Sequence, residues 1–310
     1  MTERRYASPP AFKQALEQRL KTASGSGADF GRRRQLLVFD RFLARITQVV
    51  GDGVTLKGGL VLELRLETAR TTKDIDLRMM GSPDKILEAF QEAGRLDLGD
   101  FMRFEVRPDP THPEIQNDGM KYDGYRYRAE CRLAGKIYGR PFGVDVAFGD
   151  PLVGAPDLIV TEDLLGFAGI EPPTLRLYPV VSHIAEKLHA YTMPRSRPNS
   201  RVKDLPDLGL LATVGTLDAA TLRAALELTF TFRATHALPV AVPPPPAFWQ
   251  APYEAMVEAD KLVWRTLAEV HSTVVAFLDP VLAGRLEGAW DRDAWLWRAT
   301  DGAAEAPGDP

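Results

Sequence analysis

Apolar residues recur at helical spacing in two early stretches. Phe12, Leu16 and Leu20 follow Pro9-Pro10, and Leu36, Phe39, Leu43, Ile46 and Val50 form a longer stripe ending at Gly51. The pattern then changes. Val54-Thr55-Leu56 runs into Lys57-Gly58-Gly59, residues 60–66 predict a turn or two of helix, and residues 74–79 alternate as a strand. A helix is predicted over residues 83–93 and a strand over 101–106. Residues 125–133 alternate with period two: Tyr125, Tyr127, Ala129, Cys131 and Leu133 face one side, and Arg126, Arg128, Glu130 and Arg132 the other. Ala134-Gly135-Lys136 supplies a turn and residues 143–148 return, which predicts a hairpin with one buried face.

Past Gly149-Asp150-Pro151 the chain is rich in Pro and Gly to about residue 180. Helical patterns then cover residues 181–193, 202–213, 218–229, 260–278 and 281–299. The last of these carries Trp290, Trp295 and Trp297, which predicts a packed C-terminal helix. The tetraproline at 243–246 is a stiff connector, and the closing DGAAEAPGDP is expected to fray. The expected architecture is α+β: a head over residues 1–155 with a mixed sheet, followed by a mostly helical lobe over 156–310.

Composition narrows the possibilities. Of 310 residues, 45% are hydrophobic and 26% charged, the balance of a globular protein. No apolar run approaches the roughly 18 residues of a membrane span, and MTERRYASPPAF lacks the apolar core of a secretory signal. A single cysteine, Cys131, on the apolar face of its strand, excludes an intramolecular disulfide and a thiolate metal cluster. A cytoplasmic protein without membrane association is expected. The net charge of -4 argues against whole-molecule attraction to nucleic acid, so RNA contact would need local basic patches. Arg32, Arg33 and Arg34 form one, and Arg195, Arg197, Arg201 and Lys203 another. His112, His183, His189, His236 and His271 lack zinc-ligand spacing, and structural roles are expected for them.

The chemistry concentrates in Gly58-Gly59 and Asp74-Ile75-Asp76. Alternate residues on a strand share a face, so both carboxylates point one way. Side by side they repel unless a cation neutralises them. A divalent ion such as Mg²⁺ or Mn²⁺, bound by oxygen ligands and completed by water or phosphates, would do so. The glycine pair lets backbone amides approach a triphosphate. Asp145, between Val144 and Val146, is a carboxylate among apolar neighbours and needs a partner of its own; metal ligation would supply it. A Gly-Gly turn, a short helix, Asp-x-Asp on a strand and a third acid are together similar to the DNA polymerase β-like nucleotidyltransferase fold. In the C-terminal half, Lys187 is a point charge able to reach phosphate, and Asp204 and Asp207 lie near one another on a predicted helix.

Over residues 36–212, with a weaker echo at 246–254, the chain resembles the AbiEii/AbiGii family of nucleotidyltransferase toxins. The resemblance rests on Asp40-Arg41-Phe42-Leu43-Ala44-Arg45-Ile46, on Leu56-Lys57-Gly58-Gly59 with Arg70-Thr71-Thr72-Lys73-Asp74-Ile75-Asp76-Leu77, and on Asp145 within Val144-Asp145-Val146-Ala147-Phe148. Ala185-Glu186-Lys187-Leu188-His189-Ala190 and Arg201-Val202-Lys203-Asp204-Leu205 complete it. It implies that Asp74, Asp76 and Asp145 bind metal, that Lys57, Gly58, Gly59, Thr72 and Lys187 bind the nucleotide, and that Asp204 is the last catalytic acid, with Asp207 an open alternative. It also implies transfer from a nucleoside triphosphate to RNA such as the tRNA 3′ end, with a cognate antitoxin as partner. One departure stands out: many relatives carry an acid shortly after the Tyr-Pro pair, where this chain has Tyr178-Pro179-Val180-Val181. Rival expectations are transfer to a small molecule or a protein hydroxyl, and a non-catalytic binding module of the same fold.

Overall fold

The computed structural model describes residues 6–66, 71–81, 83–114, 124–149, 151–195, 201–284 and 286–299. Arg70, Asp150, Arg197 and the closing tail lie outside the described residues. The chain divides into two compact units, Met1–Leu64 with Thr71–Asp150 and Pro156–Tyr178, and Arg65–Arg70 with Pro151–Ala155 and Pro179–Pro310. Residues 156–178, expected in the helical lobe, thus belong with the head, and the reason lies in their strands.

The first unit opens with α1 (Pro9–Thr22) and α2 (Gly27–Val50), each capped by a serine side chain, Ser8 and Ser26. Then come β1 (Val54–Lys57), α3 (Gly58–Arg65), β2 (Ile75–Met79), α4 (Ile86–Arg95), β3 (Arg103–Pro108), β4 (Gly124–Leu133), β5 (Lys136–Phe148), β6 (Asp157–Val160) and β7 (Thr174–Leu177). The strands form a mixed sheet ordered β3-β4-β5-β2-β1-β7-β6. The pairs β2–β5 and β1–β7 are parallel and the others antiparallel. Strands β6 and β7 escaped the sequence reading because they are short and flanked by Pro and Gly, which mask the alternation. Helix α2 packs on α1, α4 and the sheet, and Phe39 and Phe42 meet Phe142 at ring-centroid distances of 5.0 and 5.4 Å. These rings anchor an apolar core containing Leu56, Ile75, Leu77, Val144 and Val146. The apolar halves of the central strands are therefore held from behind, and their polar halves face away.

The β4–β5 hairpin departs from simple register. Leu133 opposes Lys136 and Cys131 opposes Tyr138, but beyond a bulge Ala129 opposes Phe142. The extra residues include Gly139, whose φ of +73° suits glycine and whose missing Cβ leaves room for Val38. The buried Gln35 amide holds the bulge from α2: it accepts from the Arg140 amide at 2.8 Å and donates to the Arg140 carbonyl at 3.2 Å. This irregularity explains why β5 starts at residue 136, where the sequence shows no alternation, and not at 143 as expected.

Nearby, the fully buried Asp100 accepts from Arg41 at 2.9 Å and from Arg45 at 2.9 and 2.6 Å. Burial pushes the Asp100 carboxyl up, but Arg45 and then Arg41 pull harder and leave it below its ordinary range.

In the second unit, α5 (Val180–Thr192), α6 (Asp204–Leu211), α7 (Ala219–Arg233), α8 (Gln250–Asp260) and α9 (Leu267–Leu282) precede a hairpin of β8 (Ala289–Asp291) and β9 (Leu296–Arg298). Two expectations are corrected here. The helix expected at 260–278 begins later, because Lys261 is left-handed and a capping box of Thr266 and Glu269 starts α9. The helix expected at 281–299 is the β8–β9 hairpin. Asp291 accepts from the Asp293 and Ala294 amides at 3.0 Å each, and Trp295 takes a φ of +53°. Those turn contacts break the helix, while Trp290 opposes Trp297 across the strands. Their indole N–H groups donate to the carbonyls of Ala212 and Phe277, both at 2.8 Å. No helix among the described residues is long and apolar enough to cross a membrane.

Candidate active site

Register in the first unit builds a row of charges across four strands. Lys57 on β1 opposes Asp76 on β2, Asp76 lies beside Asp145 on β5, and Asp145 opposes Arg126 on β4. Laterally paired residues share a sheet face, with neighbouring strands about 4.8 Å apart. The order is therefore cation, carboxylate, carboxylate, cation. Arg126 forks onto Asp145, its Nε donating to Oδ1 at 2.7 Å and its Nη2 to Oδ2 at 2.6 Å. The hydrogen bond to Asp145, chiefly, holds the Arg126 guanidinium more firmly protonated than usual. At the other end the Lys57 ammonium lies 5.3 Å from the centre of the Tyr178 ring.

Two glycines make room for the acids. A Cβ on Gly58 would fall on the Asp76 carboxylate, and Gly58 has a φ of +71°. A Cβ on Gly143 would lie 2.7 Å from Asp74 Oδ1, which accepts from the Gly143 amide at 3.0 Å. The glycine expected to admit a triphosphate thus also admits Asp76. Thr72 is buried: its amide donates to Glu63 at 3.2 Å, its hydroxyl to the Asp74 carbonyl at 3.3 Å, and its carbonyl accepts from Arg32 at 3.0 Å. In this arrangement Thr72 is tied to the Asp74 backbone.

The row tests the expected metal site. Among the described residues, no group of three or more His, Cys, Asp or Glu side chains stands ready to hold a metal. Asp74 turns toward the Gly143 amide and both Asp145 oxygens are engaged by Arg126, so the expected three-acid set is not closed. Mg²⁺ sites commonly use one or two carboxylates, leaving the remaining positions to water and substrate phosphates. The adjacent pair Asp76 and Asp145 fits that open kind of site.

In the second unit the Lys187 ammonium donates to Asp204 Oδ1 at 2.9 Å and to Asp207 Oδ2 at 2.7 Å. Both carboxylates are fully buried in the first turn of α6, where the helix dipole favours negative charge. Asp204 Oδ2 is buried without a hydrogen-bond partner, and Arg201 Nη1 is 3.7 Å from it. Beside this cluster Glu186 pairs with Arg233 at 3.1 Å, and His189 and His236 share the Thr235 hydroxyl, each at 2.8 Å.

The first basic patch read from the sequence and the arginines of β4 are engaged in internal pairs. Arg32 pairs with Glu63, Arg33 lies 3.4 Å from Asp29, and Arg34 lies 2.5 Å from Glu17. On β4, Arg128 lies 3.8 Å from Asp109, and Arg132 is 2.7 Å from both Glu105 and Glu130. Sequence reasoning missed the role of Arg126. Strict counting outward from the turn pairs Asp145 with Gly124; the bulge moves the partner two residues along, to Arg126. A glycine interrupting an alternating strand was the available signal.

Comparison with known proteins gives the class, a nucleotidyltransferase. The structure of MenT4, a nucleotidyltransferase toxin from Mycobacterium tuberculosis H37Rv, is similar with a TM-score of 0.55 and 18% identity, over 91% of this chain and 92% of that one. JHP933 from Helicobacter pylori matches with a TM-score of 0.39 and 14% identity, over 81% of this chain and 95% of that one. The comparison with curated proteins returns no match. The family described as Nucleotidyl transferase AbiEii toxin, Type IV TA system, matches residues 41–281. The chain belongs to this family of nucleotidyltransferase toxins and is an enzyme, which sets aside its reading as a non-catalytic binding module. The match runs past residue 212, where the resemblance in the sequence faded, and into α9.

Proposed function

We propose that this enzyme transfers a nucleoside monophosphate from a nucleoside triphosphate to RNA, with the tRNA 3′ end as acceptor and a cognate antitoxin as its inhibitor. The observation that carries the chemistry is the row Lys57–Asp76–Asp145–Arg126, two carboxylates side by side between two cations. Asp76 and Asp145, with Asp74 beside them, would hold Mg²⁺ or Mn²⁺, which when bound neutralises the triphosphate and the charge developing on it. Gly58 and Gly59 offer backbone amides to the phosphates, and Lys57 adds a positive charge next to Asp76. Asp145 accepts the proton of the attacking hydroxyl, that oxygen bonds to the α-phosphorus, and pyrophosphate leaves. Lys187, held by Asp204 and Asp207, is read as a phosphate-binding cation. The unsatisfied Asp204 Oδ2 favours Asp204 over Asp207 as the last acid.

Incubation with labelled nucleoside triphosphates, Mg²⁺ and total RNA tests this reading. Label should enter the RNA with the natural chain and fail to do so with Asp76→Ala. The internal pairing of the arginine patches favours a second reading, a small-molecule or protein-hydroxyl acceptor. Label in those fractions, with none in RNA, would establish that reading instead. For RNA, Arg195, Arg197, Arg201 and Lys203 remain the proposed backbone track, although Arg201 also faces Asp204. An Arg195→Ala, Arg197→Ala double variant should bind RNA more weakly at low salt and show a flatter salt dependence.

A further inference from the structure

We propose that Arg126 competes with the divalent cation for Asp145, so that metal occupancy at this enzyme's acids is set by a built-in guanidinium. The inference rests on the metal-site reading above and adds a regulator to it. Its basis is geometric. A fork that donates to both oxygens of one carboxylate takes a lone pair on each and sets a positive charge against the group a metal would use. Asp76, the other member of the pair, is one strand away. A cation arriving between Asp76 and Asp145 therefore shares its Asp145 oxygens with Arg126 and is repelled by the guanidinium.

The surroundings allow that exchange without disturbing the sheet. The backbone of Arg126 is fixed, its N–H donating to the Pro113 carbonyl at 2.8 Å and its carbonyl accepting from the Asp109 amide at 2.9 Å. Its side chain is 39% exposed, so the guanidinium has water on one side and leaves by a rotamer change. The bulge held by Gln35 fixes which residue opposes Asp145, so the competitor is built into the register. Once released, Arg126 is a free cation beside a site that receives a triphosphate. Nucleotide then helps metal in, because phosphate oxygens give the guanidinium a new acceptor.

The test uses the full chain and Mn²⁺ alone, with the free ion followed by electron paramagnetic resonance and folding by circular dichroism. Arg126→Gln removes the charge and should bind Mn²⁺ about tenfold more tightly than the natural chain. An Arg126→Gln, Asp145→Asn double variant should bind no more tightly than Asp145→Asn by itself. Should Arg126→Gln fail to fold, Arg126→Lys carries the test. Lysine keeps the charge but loses the fork, and should tighten binding by about threefold. Unchanged or weaker Mn²⁺ binding in the Arg126 variants, with Asp145→Asn still weakening it in the natural chain, overturns the competition and leaves the metal site standing. If Asp145→Asn does not alter Mn²⁺ binding, both the competition and the metal-site reading fall.

Discussion

Among its described residues the first unit contains two arginine–aspartate forks whose surroundings differ. Arg45 meets Asp100 with both side chains fully buried, whereas Arg126 meets Asp145 with 39% and 20% of their side chains exposed. Arg45 uses all five N–H donors, two on Asp100 and three on the carbonyls of Leu96, Arg41 and Met102. Arg126 uses two, both on Asp145, among the described residues. A buried guanidinium with every donor engaged cannot leave without breaking five hydrogen bonds. An exposed one exchanges its carboxylate for water at little cost. The same pair of residue types thus serves as a fixed joint in one place and as a releasable contact in the other.

Removing the buried partner should have the largest effect. Arg45→Ala takes the fork from the buried Asp100, leaving Arg41 as its one arginine partner among the described residues, and should lower stability by about 3–5 kcal/mol in urea denaturation; a loss below about 1 kcal/mol would erase the contrast. On the row, Asp76→Ala should depress nucleotidyl transfer by about a thousandfold, equivalent to roughly 4 kcal/mol in the barrier. Its stability should hold or rise slightly, because one of two repelling acids is gone. Retained turnover would mean that the chemistry lies elsewhere.

A smaller effect comes from Asp40, next to the buried fork. Burial, only partly offset by the Thr161 hydroxyl at 2.5 Å and by Arg41, pushes its carboxyl up to about 6 from 3.8. Between those values the folded chain binds more protons than the unfolded one, so stability falls as pH rises, and the full cost persists above about pH 6. Asp40→Asn should therefore stabilise the protein by roughly 2–3 kcal/mol at neutral pH and by almost nothing below pH 3.8. Thermal melts of both chains across that range decide it, and a constant difference would refute the shift. Least affected should be the stability of Arg126→Ala, which should lose less than about 1 kcal/mol in the same urea experiment. A loss as large as that of Arg45→Ala would make the row a joint as rigid as the core.

The adjacent acids of the row were legible because strand alternation sets Asp76 opposite the buried Ile75 and Leu77 and Asp145 between buried valines. Asp74, expected on the same face as Asp76, instead lies just before β2 and turns to the Gly143 amide. The partner of Asp145 was not legible, since it depends on a bulge that Gln35 stabilises from a helix a hundred residues away in sequence. Local periodicity carries no trace of such a contact. Likewise β7 pairs with β1 at long range, and β6 adds to the sheet only through β7. The C-terminal hairpin was misread because Trp290 and Trp297, seven residues apart in an apolar-rich stretch, fit one helix face, while the turn contacts that forbid a helix come from Asp291. By contrast the buried Arg41 and Arg45 lay in a recognised segment, and nothing in the helical stripe announced that they would share Asp100.

That tryptophan hairpin also gives the chain a private optical signal. All five tryptophans, Trp249, Trp264, Trp290, Trp295 and Trp297, fall in the second unit, and the first has none. Indole emission therefore watches the helical unit while remaining blind to the sheet that carries the acids. The ring pairs Trp290–Trp295 at 5.2 Å and Trp290–Trp297 at 5.3 Å add coupled absorption bands to that same unit. Melting followed in parallel by indole emission and by the amide circular dichroism of the whole backbone will tell, without any added label, whether the two units unfold as one.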